Sequence, residues 1–125
     1  MILDSDVLID LLRDLPEPHL WLYKQGAFPH VSGMAVLEAL YGARDSASLR
    51  NVETYLKPFP ILWPTDADLQ TAGKLARYHL SDGIELIDSV TATLAVRHNQ
   101  PLATFNVKHF RAIPGLITVQ PYSRA

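Results

Sequence analysis

Five short apolar segments, spaced by stretches with helical patterning, limit what this chain can fold into. They are Ile2-Leu3-Asp4, Ala27 to Val31, Ile61-Leu62-Trp63 between Pro60 and Pro64, Leu102-Ala103-Thr104, and Leu116 to Val119. Segments this short and this apolar read as strands buried on both faces. Between them, Asp6 reads as the N-cap of a helix from Val7 to Arg13 that Pro16 and Pro18 stop. His19 to Lys24 reads as a second short helix ending near Gly26, and Ser32 as the cap of a helix from Gly33 to Arg44. Asp45-Ser46 restarts a helix that ends before Pro58. Thr65 caps a long one reaching His79, with Asp68 at the capping-box position. Leu86 to His98 follows, with Asn99 as its stop, and Val107 to Phe110 is a helical turn. This alternation predicts an α/β fold with a mostly parallel five-stranded sheet and helices on both faces. No repeat or linker divides the chain, so a single domain over residues 1–125 is expected.

A chain of 125 residues with 48% hydrophobic content can bury a core. It has no Cys, which excludes disulfides, thiolate zinc sites and Cys nucleophiles. No apolar run is long enough to span a bilayer and no secretory signal is visible, so a cytoplasmic protein is expected. The formal net charge is −2, so any nucleic acid must be held by a local basic patch or through a metal rather than by bulk charge.

In parallel α/β folds, ligands sit beyond the carboxyl ends of the strands. Asp4 closes the first strand and Asn106 lies just past the fourth. Most other acids have ordinary explanations. Asp6, Asp10 and Asp14 recur at four-residue steps and read as a solvated helix stripe, while Asp66 and Asp68 favour a helix N-terminus. Glu38 and Asp88 fit less well. Glu38 interrupts the apolar stripe of Met34, Leu37 and Tyr41, and Asp88 falls between Ile84 and Ala92 on a helix face. Taken singly, a nearby Arg could account for Glu38 and a helix N-terminus for Asp88. Converging with Asp4, three carboxylates would repel strongly unless a cation joined them. A hard divalent ion, Mg²⁺ or Mn²⁺, resolves that repulsion with oxygen ligands. Asp6 can join as a further ligand or serve as a helix cap. The His residues show no i, i+4 pair, and no nucleophile elbow, Walker loop or dinucleotide fingerprint occurs.

Four segments together resemble the PIN-domain proteins. Asp4-Ser5-Asp6-Val7-Leu8-Ile9-Asp10 is similar to their opening. Val31-Ser32 through Leu37-Glu38-Ala39-Leu40-Tyr41-Gly42 is similar to their second motif, and Ile87-Asp88-Ser89-Val90-Thr91-Ala92 to their third. Leu102-Ala103-Thr104-Phe105-Asn106-Val107-Lys108-His109-Phe110 is similar to their fourth. Order, spacing and total length all match, and the compact form resembles the VapC-type ribonuclease toxins.

The resemblance implies a metal-dependent endoribonuclease that hydrolyses RNA, possible targets being tRNA or rRNA, and leaves a 5′-phosphate and a 3′-hydroxyl. It implies a VapB-type antitoxin partner and a homodimer. Asp4, Glu38 and Asp88 take the places of the family's catalytic acids. Asn106 stands where a fourth acid is often found, and no carboxylate follows Asp88 anywhere in the chain. Ser5 and Thr104 are implied as supports behind the ligands, and Arg13, Arg44, Lys108 and Arg111 as contacts to the RNA backbone. The missing fourth acid also admits a catalytically silent PIN-like module that only binds RNA or protein. A strand followed by Asp-x-Asp also opens haloacid-dehalogenase-like phosphatases, but here the motif continues Val7-Leu8 and lacks the later acid pair.

Overall fold

The structure, a computed structural model, describes residues 1–124; Ala125, the last residue of the expected domain, lies outside the described residues. Strands β1 (Ile2–Leu3), β2 (His30–Ser32), β3 (Ile61–Leu62), β4 (Leu102–Ala103) and β5 (Thr118–Val119) form one sheet in the order β3-β2-β1-β4-β5. Every pairing is parallel, so the expected mostly parallel sheet is wholly so. The chain builds outward from β1 to β3, then crosses to the other side for β4 and β5. The order therefore reverses between β1 and β4, the point at which sheets of this kind open a crevice beyond the carboxyl ends of their strands.

Neighbouring residues in each strand face opposite layers. Ile2 and Leu102 pack beneath α5 (Asp66–Tyr78), α6 (Leu86–Arg97) and α7 (Val107–Phe110), in a core with Val90, Leu94 and Phe110. Leu3, Val31 and Ala103 face the other core, with Val7, Leu8 and Leu11 of α1 (Ser5–Leu12) and Ala35 and Val36 of α3 (Gly33–Tyr41). Leu56 of α4 (Ser46–Leu56) and the half-buried Trp21 and Leu22 of α2 (Pro16–Lys24) complete this layer. No helix among the described residues is long and apolar enough to cross a membrane.

Several helix boundaries follow their sequence signals. Asp45 accepts from the Ser48 N–H at 2.8 Å, Thr65 and Asp68 form a reciprocal capping box, and Asn99 follows α6 with a left-handed φ of 52°. Other boundaries shift. Pro16 opens α2 instead of ending a helix, because a first-turn proline loses no intrahelical hydrogen bond. The second strand runs from His30 to Ser32 rather than from Ala27, and α3 stops at Tyr41 rather than Arg44. Trp63, expected in the third strand, leaves the sheet and lies over Gly33, where an added Cβ would come within 2.2 Å of the indole. The first helix begins at Ser5 with Asp4, not Asp6, as its N-cap.

Two acids with a structural role are buried. Asp68 is 3% exposed and takes two hydrogen bonds from Arg97, at 2.7 and 2.8 Å. Burial pushes its carboxyl up, but Arg97 and the Thr65 cap together bring it below its ordinary value. Asp10, expected on the solvated stripe, is buried and accepts from the Tyr122 hydroxyl at 2.8 Å and Arg124 Nε at 3.0 Å. Helical spacing puts Asp10 on the same face as Asp6 and Asp14, and the returning C-terminal segment hydrogen-bonds to it.

The Asp68–Arg97 pair ties α5 to α6. Arg97→Ala leaves the buried carboxylate without its cation and should cost about 2–3 kcal/mol, somewhat less than for a fully enclosed pair because Arg97 is partly exposed. Urea unfolding at neutral pH measures the loss; a change below about 0.5 kcal/mol would show that the pair does not hold these helices together.

Candidate functional site

Asp4 leaves β1 and caps α1 in one residue. Its backbone N–H donates to the Ala103 carbonyl at 2.9 Å, the last sheet bond between β1 and β4. Its Oδ1 accepts from the Ser5 N–H at 2.9 Å. Its Oδ2 accepts from the Thr104 hydroxyl at 2.7 Å, and Thr104 Oγ1 in turn accepts from the Asn106 N–H at 3.0 Å. These bonds orient a carboxylate that is only 2% exposed. Asp6, one half-turn into α1, is oriented separately. Its Oδ1 accepts from the Val7 N–H at 2.7 Å, and its Oδ2 from the Phe105 N–H at 3.0 Å. Because Asp4 takes the cap, Asp6 is free to bind the loop after β4.

Glu38 lies on α3 and is exposed, while the half-buried Asp88 is the third residue of α6. Charge effects link several of these acids. Burial pushes Asp4 up; the Asp88 and Glu38 charges add to the rise, and the Thr104 and Ser5 hydrogen bonds oppose it. Asp6 is pushed up to about 6, mainly by burial and then by Asp4, against the pull of the Phe105 and Val7 N–H groups. Asp88 rises through burial and the charges of Glu85 and Glu38, partly offset by the Glu85 backbone N–H and by His109. Glu38 rises through burial and Glu85, with the nearby Ser5 hydroxyl pulling the other way. Four carboxyls on three elements are thus all harder to ionise than ordinary acids.

Glu85 and His109 belong to this environment and were not legible as site residues. Glu85 precedes Asp88 by three residues, a spacing that shares a helix face, but as the N-cap of α6 it gave no sign of facing Glu38 across the crevice. His109, on α7, influences Asp88 and has a buried Nδ1 with no hydrogen-bond partner among the described residues.

The remaining predicted residues divide into two groups. Arg13 and Arg44 line one groove together with Glu38, between α1, α3 and α4. Lys108 and Arg111 are exposed on and just after α7. Asn106 is exposed at the N-cap of α7, and its side chain makes no capping bond. Among the described residues, no group of three or more His, Asp or Glu side chains is gathered so as to hold a metal ion. The donor chemistry nevertheless suits a hard divalent cation: oxygen ligands, raised proton affinities and mutual repulsion.

Fold and site together define a parallel α/β domain with a buried carboxylate, Asp4, at the topological switch point of its sheet. Residues 1–116 match the PIN domain family, and the chain belongs to that family. The four-motif resemblance is borne out at this level. The fold is similar to a chain of a toxin–antitoxin complex from Klebsiella pneumoniae, with a TM-score of 0.81, 24% identity and 98% of each chain covered. It is also similar to DNA-bound VapBC from Salmonella typhimurium, with a TM-score of 0.79, 22% identity and 94% and 95% coverage. VapBC2 from Rickettsia felis, bound to a promoter DNA fragment, matches with a TM-score of 0.78, 20% identity and 94% and 96% coverage. A search of curated proteins by sequence finds no match.

The raised carboxyls set the sign of a pH effect. Between the ordinary Asp range and about 6, folded Asp6 holds a proton that the unfolded chain has lost. Stability therefore increases as pH falls through this window, and the gain is lost as pH rises through about 6. The melting temperature of the metal-free protein should rise by a few degrees from pH 7.5 to pH 5, and Asp6→Asn should flatten that slope. Asp88→Asn should leave the metal-free fold at pH 7.5 as stable as wild type or slightly more so. Loss of more than about 2 kcal/mol on that change would assign Asp88 a structural role instead.

Proposed function

We propose that this chain is a metal-dependent endoribonuclease, the toxin of a type II toxin–antitoxin pair. One observation carries the proposal: Asp4, Asp6, Glu38 and Asp88 of a PIN fold all have raised proton affinities, and the hydrogen bonds and the positive charges of Arg124 and His109 offset this only in part. An arrangement that opposes its own ionisation is explained by a cation. Asp4, Glu38 and Asp88, with Asp6, would hold Mg²⁺ or Mn²⁺. When bound, the ion supplies a water of lowered pKa and charge stabilisation at the scissile phosphate. Ser5 and Thr104 keep Asp4 oriented, and one of the four carboxylates accepts the proton of the attacking water. Arg13 and Arg44 beside Glu38, with Lys108 and Arg111 on the α7 side, provide separate cationic contacts for the RNA backbone. Asn106 contributes a neutral amide in place of a fourth acid, which favours a single ion.

The toxin assignment draws on the structural neighbours, whose names are those of toxin–antitoxin complexes. By the same likeness we propose a VapB-type antitoxin partner, and from the PIN-domain resemblance a homodimer, a cytoplasmic location and tRNA or rRNA as substrate. The PIN family match gives no support to the phosphatase alternative. Asn106 is the observation that favours a second reading, a silent PIN module that binds RNA or protein without cutting.

Incubation of total cellular RNA with the purified, antitoxin-free protein tests the proposal. Discrete fragments should form with Mg²⁺ or Mn²⁺ and disappear with EDTA or with Asp4→Asn. Equal cleavage by Asp4→Asn would trace the activity to a contaminant. No cleavage, together with a Mn²⁺-induced rise in melting temperature, would favour the silent module.

A further inference from the structure

The buried Asp10 and the C-terminal segment that covers it have no part in the proposed chemistry, yet their contacts lead to it. Arg124 makes three contacts there. Its Nε donates to Asp10 Oδ2 at 3.0 Å, its Nη2 donates to the Asp6 backbone carbonyl at 3.3 Å, and its guanidinium lies 3.9 Å from the centre of the Phe105 ring. Tyr122 supports the same arrangement, donating to Asp10 Oδ2 and meeting Phe105 edge-on at 4.9 Å. Phe105 is the residue whose N–H holds the Asp6 carboxylate. Its neighbours on either side, Thr104 and Asn106, form the hydrogen-bonded link that ends at Asp4. One planar cation therefore joins the first turn of α1 to the loop after β4, the two segments that orient Asp4 and Asp6.

We infer that Arg124, held by Asp10, is a positioning residue for the acidic site. It fixes the α1 start against the Phe105–Asn106 loop, and so the direction in which Asp6 presents its carboxylate. The inference rests on the metal-dependent reading above and deepens it. A guanidinium suits this task because its flat face stacks on Phe105 while its edge donates to two different oxygens; a lysine ammonium cannot do both.

The sign of the effect separates positioning from simple electrostatics. A positive charge close to a cation site weakens cation binding, so its removal by itself would tighten Mn²⁺. If Arg124 positions Asp6, Arg124→Gln should instead weaken Mn²⁺ binding, by about threefold to tenfold, in a calorimetric or paramagnetic-resonance titration of the full chain. Arg124→Lys, which keeps the charge and loses the planar fork, should weaken it as well. The exchange rate of the Phe105 amide, followed by NMR without metal, should rise severalfold in both variants while amides of the buried part of α6 stay as protected as in wild type. Unchanged or tighter Mn²⁺ binding by Arg124→Gln would overturn the inference. Should wild type bind no Mn²⁺, the metal reading fails on its own, and the Phe105 amide decides: faster exchange in the variants supports positioning, and unchanged exchange refutes it.

Discussion

The hydrogen bond from the Thr104 hydroxyl to the Asp4 carboxylate joins the ends of the two strands between which the sheet changes direction. The rest of the site depends on it. Asp4 can follow β1 directly and cap α1 only because its two oxygens are divided, one for the helix N-terminus and one for the residue after β4. That division brings the helix start two residues nearer the strand than expected. Asp6 then stands inside the first turn, where one carboxylate oxygen keeps the Val7 N–H of its own helix and the other reaches the loop after β4.

The electrostatic cost of this arrangement falls on the fold. Burial is the largest influence on each of Asp4, Asp6, Glu38 and Asp88, and neighbouring carboxylates add to it, Glu85 being the one that acts on Glu38. A core optimised only for stability would pair these acids, as it pairs Asp68 with Arg97 and Asp10 with Arg124. The contrast within one small domain is informative. Where an acid has a structural role, an arginine reaches it directly; in the crevice, the arginines line a groove beside Glu38 without a salt bridge to it. Strain of this kind is characteristic of sites arranged for a ligand rather than for the folded state alone.

The flanking layers keep the crevice in place by different means. On one face, α6 is buried nearly all round, and the hydroxyls of Ser89, Thr91 and Thr93 return their hydrogen bonds to carbonyls three or four residues earlier, so they pack without unsatisfied donors. This gives Asp88, at the start of α6, a rigid base. On the other face, α1 depends partly on the chain's return at Tyr122 and Arg124, which closes over Asp10.

Local patterns in the sequence located the five strands, most helix caps and the parallel architecture, and singled out Asp4, Glu38 and Asp88 as acids out of place, because strand burial, capping and helical spacing act over a few residues. Asn99 and the Thr65–Asp68 capping box show how far such signals reach. What the sequence could not determine depended on contacts between distant segments. Asp10 looked solvent-facing until residues more than a hundred positions later covered it. Asp6 looked like a cap until Phe105 was brought opposite it. Glu85 carried no signal of its own, and only the structure shows that it acts on Glu38. Only the tertiary structure decided these environments, since desolvation and charge proximity depend on which segments meet in space, and no local periodicity records that.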